Sequence, residues 1–212
     1  MSLRTRCLAL VLVVIWAGPT PGAAQPDADT RPERFVHSTD PAAVVVAFSE
    51  RFGAIGDADP GPRLRVFGDG RVEVHYPHYM KRAGDWRLQL TTAELRALVG
   101  GLVDRGLAEF DVARTRERKR AKRDQARAAG SLFAVSEASA IHIELQLDRY
   151  RPADTAKPEI RNLRKVIRWT ELRADARRYP GISELSELAA AQTDLLAVME
   201  RPDLVRAGAS TP

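Results

Sequence analysis

Cysteine is nearly missing from this chain: Cys7 is the only one in 212 residues. A lone thiol near the N-terminus allows no disulfide within the domain and no cysteine nucleophile in its body, so packing alone must hold the fold. Long apolar runs are also missing. Cys7 to Ala17 gives eleven mostly apolar residues, against the roughly 20 that a membrane-spanning helix needs. No G-x-S-x-G elbow and no H-E-x-x-H helix occurs, which removes the two commonest hydrolase signatures. Asp57 and Asp59 suggest a calcium loop, but its twelfth position, where a bidentate Glu belongs, is Gly68. Gly68-Asp69-Gly70 joins two strand-like segments. A dinucleotide fingerprint instead joins a strand to a helix whose N-terminus holds the pyrophosphate. No cofactor is expected.

What is present begins with an address. Arg4 and Arg6 precede the apolar run, Gly18, Pro19, Pro21 and Gly22 break it, and Gly22-Ala23-Ala24 places small residues before a cut after Ala24. That order reads as a secretory signal peptide over residues 1–24 and predicts a periplasmic or secreted protein. Cys7 lies inside the signal, so the exported chain is expected to be cysteine-free.

Charge is local rather than general. The chain carries +5 overall, and without Arg4 and Arg6 there are 31 basic residues against 28 acidic. Residues 111–130 alone hold eight basic and three acidic side chains, with Arg118, Lys119, Arg120, Lys122 and Arg123 at the centre. Arg outnumbers Lys 28 to 5, a bias typical of GC-rich bacterial genomes. Export makes nucleic acid an unexpected partner for the basic arm; an acidic partner or an anionic membrane surface fits better. The arm lacks the aromatic and Leu-rich face of an interfacial helix, so a solvated helix is the default reading.

Residues 25–40 are polar and aperiodic and read as a flexible leader, 41–200 as one domain, and 201–212 as a disordered tail. Ala43 to Phe48 has strand character. Leu64 and Val66, then Val72, Val74 and Tyr76, alternate with polar residues on both sides of Asp69-Gly70, predicting a β-hairpin with a type I′ turn. Trp86, Leu88 and Leu90 continue as a strand. Thr91 and Glu94 form a capping box, and Leu95, Leu98, Val99, Leu102 and Val103 follow at helical spacing up to Gly106. Ile141, Ile143, Leu145 and Leu147 mark a half-buried strand. Residues 160–168 suggest another, Thr170 is placed as the cap of a short helix to Arg178, and Ser183 opens a last helix. Alternating strands with short turns and striped helices predict an α+β fold in two layers, an antiparallel sheet with one face covered by helices.

Two groups of residues are candidates for chemistry. Glu73 and His75 share the polar side of one strand, and His142 and Glu144 that of another. Were those strands neighbours, the four would suit zinc. Any solvent-facing sheet shows the same alternation, however, and Arg63, Arg65, Arg71 and Arg87 on that face would repel a cation, so no metal is expected. The run from His75 to Tyr79, containing Tyr76, His78 and Tyr79, reads as an aromatic contact surface for a partner or as a strand end with Tyr76 packed inward.

The segment from Pro62 to Val72 (PRLRVFGDGRV), followed by Trp86 to Leu95 (WRLQLTTAEL), resembles uncharacterised exported bacterial proteins in which a G-D-G-R-V hairpin precedes an L-x-x-x-E-L helix. Tyr179 to Leu185 (YPGISEL) is similar to their C-terminal segments. The resemblance covers about half of the chain and implies no activity. The strand–strand–helix order is also similar to emfourin-like inhibitors of thermolysin-type proteases, without an inhibitory residue to transfer. The expectation is an exported, non-enzymatic binding domain for a protease, an envelope protein or a surface polymer. The alternatives are an enzyme or metal site at His75 and His142, and a membrane-surface binder through residues 111–130.

Overall fold

A computed structural model describes residues 33–53, 61–130 and 139–208. The expected signal peptide, residues 25–32 of the expected leader and the Asp57/Asp59 loop lie outside the described residues.

Among the described residues eight strands form a single antiparallel sheet, accompanied by four α-helices. In chain order they are β1 (Phe35–Val36), β2 (Val44–Phe52), β3 (Arg63–Phe67), β4 (Arg71–Tyr76), β5 (Gly84–Gln89), α1 (Thr92–Asp104), α2 (Val112–Ala128), β6 (Ser139–Tyr150), β7 (Ile160–Thr170), α3 (Leu172–Arg178), α4 (Ser183–Met199) and β8 (Val205–Arg206). β7 runs along one edge of β6 throughout its length. β2 and the short β1 pair with different stretches of β6 and so share its other edge. The lanes therefore run β7, β6, β2 with β1, β3, β4, β5, β8.

The α+β expectation is met. Alternation sorts the side chains: Val46, Phe48, Leu64, Val66, Val72, Val74, Ile143 and Leu145 turn to one face, where they are nearly fully buried. Leu95, Val99 and Leu102 of α1 and Leu185, Leu188 and Leu195 of α4 complete the same cluster. The helices cover this face because their apolar stripes, spaced by three and four, have no other surface to meet.

Thr91 accepts from the Glu94 N–H at 3.2 Å, and Glu94 accepts from the Thr91 N–H at 2.8 Å, as the capping box requires. Gly106 is left-handed and ends this helix region, and its N–H bonds to the Val103 carbonyl. A methyl group on Gly100 would touch the Phe35 ring at 3.6 Å, whereas one on Gly101 would meet no described residue within 4 Å.

Several local expectations are corrected. The β3–β4 turn is not type I′, which needs two left-handed residues. Among Gly68, Asp69 and Gly70 only Gly70 is left-handed (φ 86°), and its N–H closes the turn onto the Phe67 carbonyl at 3.0 Å. This is a three-residue loop, in which the left-handed residue rejoins the second strand. A methyl group on Gly70 would stand 2.4 Å from the Leu90 carbonyl oxygen. Strain and overlap together predict that Gly70→Ala destabilises by about 3 kcal/mol, read as a lower urea midpoint. Thr170 does not cap α3; Glu171 occupies that position with φ 63° and makes no side-chain cap bond.

The described parts of the expected leader (residues 33–40) and tail (residues 201–208) are built into the fold. Residues 35–36 pair with β6, and Arg34 bonds to Asp104 at 3.1 Å. At the other end Leu204 is buried and β8 pairs with β5. Arg201 donates to Glu94 at 2.8 Å and to Asp203 at 2.6 Å, clasping this segment to the start of α1. The Thr91 N–H, then Arg201 and the Thr91 hydroxyl, pull the Glu94 pKa down to about 2. A carboxylate held below its unfolded value stabilises fully above pH 4.5 and loses that contribution as pH falls through the folded value. Replacing Glu94 with Gln is expected to lower the urea midpoint near neutrality and to converge with the parent toward pH 2.

α2 is not a free solvated arm. It buries little apolar surface, and Thr115 is its one fully buried residue. Polar bonds dock it instead. Lys119 reaches the fully buried Asp175 at 2.5 Å, Arg118 pairs with Glu184, and Arg116 donates to the Arg168 carbonyl at 3.1 Å. Trp169 donates to the same Asp175 at 2.8 Å and meets Phe110 edge-on.

Candidate functional site

The uncovered face of the sheet holds the polar halves of five central strands and β7. Register fixes their neighbours. One row crosses the sheet as Arg168, His142, Ser49, Arg63, His75 and Asp85. The next runs Val166, Glu144, Ala47, Arg65, Glu73 and Arg87. The two rows lie two residues apart along each strand, about 7 Å.

His75 and His142 are thus in the same row but on strands with two others between them. Three lane spacings separate their backbones by about 14 Å, far beyond what one ion can bridge with ligands near 2 Å. Glu73 and Glu144 are split in the same way. The four do not converge, and among the described residues no group of three His, Asp or Glu could hold a metal.

Each carboxylate in the two rows already has a bonding partner. Glu144 takes two bonds from Arg164, at 2.7 and 3.2 Å, and this holds its carboxyl below the usual range, helped by Gln146 and His142. Glu73 pairs with Arg71 at 2.5 Å, and Asp85 with His75 Nδ1 at 2.8 Å. Arg63, Arg65, Arg87 and Arg168 are exposed and have no carboxylate partner among the described residues. The pairing consumes every acid in the two rows and leaves four guanidiniums over.

Shape follows from side-chain size. In these two rows the outward positions of β2 are Ala47 and Ser49, so the middle lane is low there between the taller residues of β6 and β3. A depression of 610 Å³ lies on the β6–β7 side, lined by Ser49, Arg51, Arg63, Arg116, His142 and Arg168 among others. A second, of 200 Å³, lies over β2 and β3 and is lined by Ala47, Ser49, Arg63, Arg65 and His142. The two share Ser49, Arg63 and His142, and among the described residues neither is lined by an acid. A third depression, over β4 and β5, contains Glu73 and Asp85 and is electrostatically mixed. The cationic centre is therefore the β2 lane.

The expected contact surface around Tyr76 is only partly available. Tyr76 is buried, its hydroxyl donates to the Met199 carbonyl at 2.5 Å, and burial pushes its pKa up. It belongs to the core, not to a partner surface. His78 and Tyr79 are exposed in the turn that follows and meet edge-on, with ring centres 5.7 Å apart. Of the basic-arm candidates, Arg118 and Lys119 are engaged within the protein, and Arg123 lies beside Asp124 at 3.6 Å. Arg120 and Lys122 face solvent.

Ala47, Ser49, Arg116 and Arg168 are site residues that the sequence reading missed. The run Val46-Ala47-Phe48-Ser49 alternates, but the apolar stretch before it masked the pattern. Glu50 continues the inward series and is buried, with Gln192 donating to it at 3.2 Å. A charged residue on the inward side hides the strand's true length. Compared with protein-family models, curated proteins and solved structures, the chain matches none.

Proposed function

We propose that this chain is an exported, non-enzymatic binding domain that holds an acidic surface polymer on the open face of its sheet. Export rests on the charged, apolar and small-residue order of residues 1–24. The single observation that carries the binding reading is the pair of depressions flanking β2, rich in arginine and, among the described residues, without a carboxylate. Arginine's planar fork suits carboxylate, sulfate and phosphate groups. Arg168, Arg63, Arg65 and Arg87 are staggered across the sheet, which suits a linear chain with repeated charges better than a single small ion. The basic arm supports a membrane reading less well, because Arg118 and Lys119 are engaged with Glu184 and Asp175.

Retention on immobilised dextran sulfate and alginate, with neutral dextran as the comparison, tests the proposal. The protein is expected to bind both acidic polymers, to pass through neutral dextran, and to elute with rising salt as screening shortens the reach of the guanidiniums. Equal passage through all three would sink the reading.

A further inference from the structure

We infer that Arg63, Arg168, His142 and Ser49 form a subsite for one compact oxyanion, the sulfate, phosphate or carboxylate group of the bound polymer. The inference deepens the reading of the open face as the binding surface and rests on it.

Four consecutive lanes supply the residues, because Arg168 registers with His142, His142 with Ser49, and Ser49 with Arg63. The two arginines stand at the ends of this run and the two shorter side chains between them. Long flexible side chains flanking a low centre can lean inward over it from both sides. The centre itself offers hydrogen-bonding groups. Ser49 carries a hydroxyl. His142 Nε2 is shielded from solvent and has no hydrogen-bond partner among the described residues. Buried polar atoms are nearly always satisfied, and an exception calls for an explanation. A ligand oxygen over Ser49 would supply the missing partner, with the imidazole N–H donating in the matching tautomer.

The surroundings favour an anion. Glu144, next to His142 on the same strand face, is neutralised by Arg164. Trp169 Nε1 is committed to Asp175 and does not compete. Arg116 adds a further cation at the rim, held there by its bond to the Arg168 carbonyl. Forked guanidiniums from two sides, with a hydroxyl and an imidazole below, match a group with several oxygens on one centre.

The test follows the ring signals of His142 by NMR while inorganic sulfate, phosphate or acetate is added at constant ionic strength, with chloride as the control. His142→Gln assigns the signal. A saturable shift of His142 with at least one oxyanion, absent with chloride and absent at His78, is the expected result. The responding anion identifies the charged group of the polymer. Ser49→Leu, which fills the low centre, and Arg168→Ala should each raise the apparent Kd about tenfold or more, the worth of one hydrogen bond to a charged group. Dextran sulfate retention is measured in parallel. If the polymer binds but His142 responds to the oxyanions no more than to chloride, the subsite is overturned and the open-face reading stands. If neither polymer nor oxyanion binds, both fall.

Discussion

Reversing the charge at Arg63 and Arg65 together, as R63E/R65E, is expected to weaken binding to dextran sulfate by about 100-fold or more. Hydrogen bonds to charged groups contribute about 1.5–3 kcal/mol each, and two are removed at once. The new carboxylates also repel the polymer at the point where both depressions meet, since Arg63 lines each of them. Both side chains are exposed and bond to no carboxylate among the described residues. The carboxylate placed at position 65 would face Glu73 across the strands, a like-charge pair that costs up to about 1 kcal/mol, so a thermal midpoint lowered by no more than about 4 °C serves as the control. The matched reversal on the basic arm, R114E/R120E, should change affinity by no more than a few-fold, through long-range screening alone. Equal losses from the two variants would mean that overall charge, not the sheet face, sets the affinity.

The second large effect concerns stability. Replacing Lys119 with Ala is expected to cost about 3 kcal/mol, toward the lower end of the range for breaking one side of a buried ion pair. Asp175 is wholly buried, and its Oδ1 has no hydrogen-bond partner among the described residues. Its remaining contact would be the Trp169 N–H at 2.8 Å, which does not offset a full negative charge. The lower end applies because Lys119 is itself 25% exposed, so water can partly replace it. For a domain of this size the melting temperature should fall on the order of 10 °C. Combining Lys119→Met with Asp175→Asn should recover most of the loss, because the charge is gone and Trp169 keeps an acceptor. A fall of less than about 2 °C in the Ala variant would show that the pair does not anchor α2.

These two predictions connect fold to site. Arg116 reaches the site rim from α2, and α2 is held by Lys119 and Asp175 rather than by an apolar stripe. That anchoring was not legible in the sequence. Asp175 sits among Arg173, Arg177 and Arg178 in a short charged stretch, and only the tertiary fold shows that it alone turns inward. The hairpin, the capped helix and the long strand of residues 139–150 were legible, because period-two and period-3.6 patterns follow directly from where side chains point. The type I′ expectation fails because Asp-Gly permits two loop lengths, and the Gly70 N–H bond to the Phe67 carbonyl, with Gly70 the left-handed residue, belongs to the longer one.

The candidate site was half legible. The polar alternation of Glu73, His75, His142 and Glu144 placed them correctly on the open face. Strand order then separated them, and strand order depends on pairing between distant segments, which no local pattern encodes. The same order set Arg63 beside Ser49 and Ser49 beside His142. Counting charges over the whole chain pointed to residues 111–130. The more informative count is of cations left over after every carboxylate on one surface has found a partner, and that requires the register.

The most direct test of the open face as the binding surface is a backbone NMR titration with a short dextran sulfate fragment. Saturable shifts should gather on Ala47, Ser49, Arg63, Arg65, His142 and Arg168 and be small on the exposed positions of α2. Shifts centred on Arg114, Arg120 and Lys122, with the sheet face silent, would contradict the account.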